Sequence, residues 1–126
     1  MDEIKFREIF SHRIYAKENV SYFSYSCDVG ELEEDIHATI HYLNLDGYER
    51  ANEPKDREDT ETSSGGRLTI STFQKGKSKV VIKRGSHRES DSVKVFVTSL
   101  DEMEENRLKK GIEKIFFGKL YPYENL

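Results

Sequence analysis

Three segments enriched in β-branched residues lie between two stretches with helical spacing, and that order leaves few architectures open. Residues 68–73, 79–83 and 92–98 alternate wholly or partly between apolar and polar side chains, the period of a strand with one buried face. Lys75-Gly76-Lys77 supplies a turn, so the first two are predicted to form a hairpin. Residues 85–91 are polar and read as a longer loop. Residues 20–27 and 48–52 read as two further strands.

A helix is predicted to begin near Val29. Asp28 is placed to cap it and Glu31 to close a capping box, with Cys27 and Leu32 as a hydrophobic staple. Leu32, Ile36, Ile40 and Leu43 share one face, and Asn44 to Gly47 ends the helix. A second helix is predicted with Ser99 as cap and Glu102 as its capping-box partner. Leu108, Ile112, Ile115 and Phe116 form its apolar stripe, while Glu105, Lys109 and Glu113 are spaced as charge pairs on the exposed side. Gly111 inside this helix costs about 1 kcal/mol relative to Ala, which close packing against a sheet explains. Phe6, Ile9, Phe10 and Ile14 fit an N-terminal helix, although Ile4, Phe6, Phe10 and Ile14 also fit a strand face; the helix is preferred.

The order strand, helix, four strands, helix predicts an α+β fold. Its simplest form is a mostly antiparallel sheet of four to five strands with two or three helices packed on one face. The 126 residues make one domain. Hydrophobic residues are only 35 % of the chain, and charged residues are equally abundant, so the core must draw on the seven Phe and seven Tyr. Residues 53–66 hold no large apolar side chain and are expected to be a mobile charged insertion. The lone cysteine, Cys27, excludes an internal disulfide framework. No apolar run approaches the ~20 residues of a membrane span, and Met1-Asp2-Glu3 does not open a secretory signal. The expectation is a soluble cytoplasmic protein without membrane contact.

Charge is sorted into blocks. Residues 28–62 carry twelve acidic and three basic side chains, whereas residues 63–88 carry seven basic ones and no carboxylate. Such sorting governs what a surface attracts rather than how it folds.

Catalytic signatures fail one by one. His37 and His41 lie four apart on the first helix and could share a transition metal with Cys27, His12 or Glu34, but the ligand count of a metal site is missing. They read as flank residues beside the Ile36/Ile40 stripe, so no metal and no cofactor is expected. Cys27 beside a helix start could be an activated thiol, yet four acids in the next turn oppose a thiolate. Gly76-Lys77-Ser78 ends like a phosphate loop but opens no helix.

Two binding surfaces remain. The leading expectation is a non-catalytic protein, not an enzyme, that engages a protein partner through Glu31, Glu33, Glu34 and Asp35. In its sharper form it is an inhibitor or regulator of a nucleic-acid-handling enzyme, its acids mimicking phosphates. The alternative is a nucleic-acid-binding module using Lys75, Lys77, Lys79, Lys83, Arg84 and Arg88, with Lys77, Lys79 and Lys83 on one strand face opposite Val80 and Ile82. A small-molecule cavity lined by aromatics under the sheet is a third reading. Tyr121-Pro122-Tyr123 could pack internally or join two copies. The first two readings assume that opposite charges occupy separate territories.

Overall fold

The computed structural model describes residues 12–13, 19–28, 32–62, 65–87 and 90–117. Seven strands are found among them: β1 (His12–Arg13), β2 (Asn19–Asp28), β3 (Glu49–Arg50), β4 (Arg57–Glu61), β5 (Arg67–Lys75), β6 (Ser78–His87) and β7 (Ser90–Ser99). They form one antiparallel sheet in the order β1-β2-β7-β6-β5, and β3 and β4 lie end to end along the outer edge of β5. The helices are α1 (Glu33–Leu45) and α2 (Glu102–Phe117). The α+β, antiparallel class therefore holds, in a wider sheet than expected. The helical reading of Phe6 to Ile14 lies outside the described residues except at His12–Arg13, which form β1 instead.

Alternation sorts the central strands. Val93, Val95 and Val97 on β7, Val80 and Ile82 on β6, and Phe73 on β5 point to one face. There they meet Leu108, Ile112 and Phe116 of α2, Leu43 of α1 and Leu32 just ahead of it in a single buried cluster. Burying a side chain of this size contributes roughly 1.5–3 kcal/mol, so this face carries the fold. Neither helix covers the opposite face.

The ends of the elements differ from the sequence reading in ways the ladders explain. Asp28 does not cap α1: it is the last residue of β2, paired with Ser90, and the residue preceding α1 is Leu32, which makes no side-chain cap bond. Ser99 does not cap α2, because it belongs to β7, where its buried hydroxyl meets that of Ser78 at 2.9 Å. Asp101 caps instead, its carboxylate accepting from the Met103 and Glu104 amides at 3.0 and 3.4 Å. The supposed loop at 85–91 is mostly strand, β6 and β7 running on to the pair His87↔Ser90. Residues 53–66 contain β4. The Lys75-Gly76-Lys77 hairpin is as expected, Gly76 taking a φ of +59° at the first turn position, as a two-residue primed turn requires.

Helix α1 ends as a Schellman motif. The Tyr48 amide donates to the Leu43 carbonyl and the Gly47 amide to that of Asn44, with Gly47 at a φ of +95°. Tyr48 and Leu43 are thereby both delivered to the core. Gly111 does not serve sheet packing. A Cβ there would stand 2.2 Å from the Tyr42 hydroxyl oxygen, so the glycine lets the α1 tyrosine lie across α2.

Candidate functional site

Strand alternation divides the basic block between two faces. Arg84 falls on the helix-covered side. Its guanidinium donates to Glu33 Oε1 and Asp91 Oδ2, both at 2.8 Å, and Asp91 is fully buried. The Arg84 hydrogen bond holds the Glu33 carboxyl below the usual carboxylate range. Around this group lies a polar cleft of about 350 Å3 lined by Glu33, Arg67, Thr69, Arg84 and Ser86. Both carboxylates bond Arg84, and together Arg67, Arg84, Glu33 and Asp91 carry no net charge for an anion to meet. It is not the aromatic cavity considered from sequence.

Lys75 belongs to a clasp at the other end of the helices. Its ammonium donates to the Asp46 carbonyl at 2.9 Å and lies 5.7 Å from the Tyr48 ring centroid. Arg107 donates to the Asp46 carboxylate at 2.5 Å and to Glu104 at 2.7 Å, and the buried Tyr48 hydroxyl donates to Glu104 as well. The Arg107 bond keeps the Glu104 carboxyl below its ordinary range, outweighing burial, which raises it. Burial first, and the bond to Glu104 second, push the Tyr48 hydroxyl well above the usual range.

The two charge territories are joined at three points. Glu33 meets Arg84, Asp46 meets Lys75, and Glu53 meets Lys79 at 3.2 Å, tying the acidic block onto the basic one. Within the acidic set, Asp35 is only 5 % exposed and is not presented to a partner. Glu33 also approaches His37, at 3.5 Å, and Glu34 is exposed on α1. Glu31 and Arg88 lie outside the described residues. The supposed surface pair Glu105 and Lys109 fails too, since Glu105 is fully buried on the same stripe as Leu108 and Ile112. His37 and His41 are both exposed on α1. Cys27 sits in β2 opposite Asp91 rather than ahead of a helix cap.

What the fold assembles is on the face away from α1 and α2, the open face among the described residues. Lys77 is the second turn residue and exposed, not part of a strand. Lys79, Val81 and Lys83 alternate with buried Val80 and Ile82. The register places Lys83 directly opposite Lys94 of β7 and, on its other side, Ile70 of β5, which pairs Arg57 of β4. Directly paired residues share a face, so Arg57, Lys83 and Lys94 lie in one row across four strands. Among the described residues no carboxylate lies within 4 Å of the Lys83 or Lys94 ammonium. In the adjacent row Val81 pairs Phe96, and Phe96 pairs Tyr22 of β2. The Lys83 ammonium stands 5.9 Å from the Phe96 ring centroid, and Val81 and Phe96 are half-buried.

Arg57, Lys94 and Phe96 escaped the sequence reading because they lie on other strands than the basic block. The signal was present: Lys94 and Phe96 occupy the positions between Val93, Val95 and Val97, so they had to face away from the core. No family model, no curated protein and no solved structure matches this chain. Among the described residues no helix is long and apolar enough to cross a membrane.

Proposed function

We propose that the protein is a non-catalytic nucleic-acid-binding module whose working surface is the open face of the sheet, with Lys83 and Lys94 at its centre. One observation carries this reading, the direct pairing of Lys83 with Lys94. Like charges opposite one another across two strands destabilise a sheet by up to about 1 kcal/mol, and an anion seated between them removes that penalty. Arg57 extends the row, and Lys79 and Lys77 continue the positive character toward the hairpin tip. The expectation that a protein partner docks on Glu31, Glu33, Glu34 and Asp35 loses support on this geometry, since Asp35 faces inward and Glu33 is joined to Arg84.

The test is retention of labelled oligonucleotide across a salt series. If Arg57, Lys83 and Lys94 each meet a phosphate, log affinity falls with log salt at a slope of about −2 for a single strand. The double change Lys83→Glu with Lys94→Glu is expected to abolish retention, whereas Glu34→Gln leaves it unchanged. Undiminished binding by the lysine variant overturns the reading.

A further inference from the structure

We infer that the outer face of α1 holds a divalent first-row transition ion between His37 and His41, with Glu33 as the carboxylate that orients His37. The two histidines stand about one turn apart on the helix, so their Cβ atoms are about 6 Å from each other. At metal–nitrogen lengths of about 2.1 Å, two imidazoles on that spacing reach one ion. Side chains on a helix lean toward its N-terminus, so the His41 ring leans toward His37 and the His37 ring toward Glu33. The second lean is seen directly: His37 Nε2 lies 3.5 Å from Glu33 Oε2.

From sequence the missing ligand count spoke against a metal; the structure adds an orienting partner. Glu33 is not a loose surface acid. Its Oε1 accepts from Arg84 at 2.8 Å, and Arg84 is bonded in turn to fully buried Asp91. The chain Asp91, Arg84, Glu33, His37 therefore runs from the sheet to the helix surface. A carboxylate on one ring nitrogen fixes the tautomer and makes the other nitrogen a better ligand. With Nε2 turned to Glu33, Nδ1 of His37 is the donor left for the ion.

The surroundings decide which ion is taken and how it is held. Both histidines are exposed, His37 to 71 %, and exposed Ala38 beside them adds no bulk, so a hydrated ion reaches them. Among the described residues no three His, Cys, Asp or Glu side chains converge on one point. The protein thus supplies two ligands and solvent the rest, which makes the site exchangeable, unlike a closed four-ligand structural zinc. Imidazole donors select Cu2+, Ni2+ and Zn2+ over Mg2+ and Ca2+, which take oxygen. The site lies on the helix side of the sheet, so it is independent of nucleic-acid binding at Lys83 and Lys94.

The experiment titrates the full chain, free of any histidine tag, with Cu2+, Ni2+ and Ca2+, and follows calorimetry and melting temperature. One Ni2+ or one Cu2+ per chain is expected, Cu2+ the tighter. Either should raise the melting temperature, because the ion links two turns that exist only in folded α1. Ca2+ should do neither. His37→Gln and His41→Gln should each weaken Ni2+ binding by at least about tenfold, and the double variant should lose it. Glu33→Gln should weaken it by about tenfold, the lower end for an outer carboxylate. Its action through His37 is read in the pair: once His37 is replaced, losing Glu33 should cost nothing further. Melting without metal shows that each variant has kept its fold. Undiminished Ni2+ binding by the double histidine variant, equal affinity for Ca2+, or no binding by the unchanged protein overturns the site. An equal loss from Glu33→Gln with and without His37 removes the orienting role.

Discussion

The two faces of the sheet treat charge in opposite ways. On the helix-covered face two cations of the basic block are answered: Arg84 by Glu33 and buried Asp91, Lys75 by the carbonyl end of α1. On the open face two lysines are set side by side with no carboxylate near either ammonium among the described residues. The first arrangement is what a fold needs, because a charge enclosed without a partner is costly. The second is offset by nothing among the described residues. Where a structure tolerates unfavourable charge at a solvated surface, the cause is best sought outside the molecule.

The widest separation between the faces should come from Arg84→Ala against Lys83→Ala. Removing Arg84 takes from buried Asp91 the guanidinium it accepts from, and should cost about 3 kcal/mol in urea denaturation. Removing Lys83 should leave stability unchanged or raise it by up to about 1 kcal/mol, by relieving the repulsion with Lys94. Equal losses at the two sites would erase the distinction. Next in size, Gly111→Ala tests whether the covered face is closely packed. Although alanine favours a helix by about 1 kcal/mol, the methyl group collides with Tyr42, and a net loss of roughly 1–2 kcal/mol is expected. With Tyr42→Leu in the background the same change should become stabilising.

Glu53→Gln sharpens the open face. It releases Lys79, so single-strand affinity should rise a few-fold and the salt slope steepen by about 0.7, while stability moves by less than about 0.5 kcal/mol. The smallest effect is on acidification. Glu104 and Glu33 have folded pKa values below their ordinary ones, so their contribution is complete above the unfolded carboxylate range and disappears as pH falls through the folded values. Thermal stability should therefore decline below about pH 4, less steeply in Glu104→Gln, with Glu33 adding little because it is solvated.

Much of the fold could be read from the chain, and the misreadings share a cause. Strands β2, β5, β6 and β7 and both helical stripes announce themselves through periodicity. Sequence reasoning erred where a polar residue belonged to a ladder. Asp28 and Ser99 look like caps, yet β2 and β7 run through them, and Gly85, Ser86, Ser90 and Asp91 look like a loop while completing β6 and β7. Strand β4 hides because an edge strand needs few apolar residues. The pairing Thr60↔Leu68 and Glu61↔Arg67 rests on backbone bonds. The site was less legible than the fold. Adjacent lysines and arginines suggest one patch, but Lys83 and Arg84 point to opposite faces, and the true neighbour of Lys83 is eleven positions away at Lys94. Which residues abut across strands depends on register, and register becomes visible only when partners are known.

Asp56 stands where β3 stops and β4 has yet to begin. Its carboxylate accepts from the Thr72 hydroxyl at 2.8 Å and from the Thr72 amide at 3.3 Å, while the Ala51 amide donates to the Thr72 carbonyl. A side chain thus takes the rung that a passing strand from another molecule would seize. At Thr72 no backbone group of β5 is left for an intruding strand to pair.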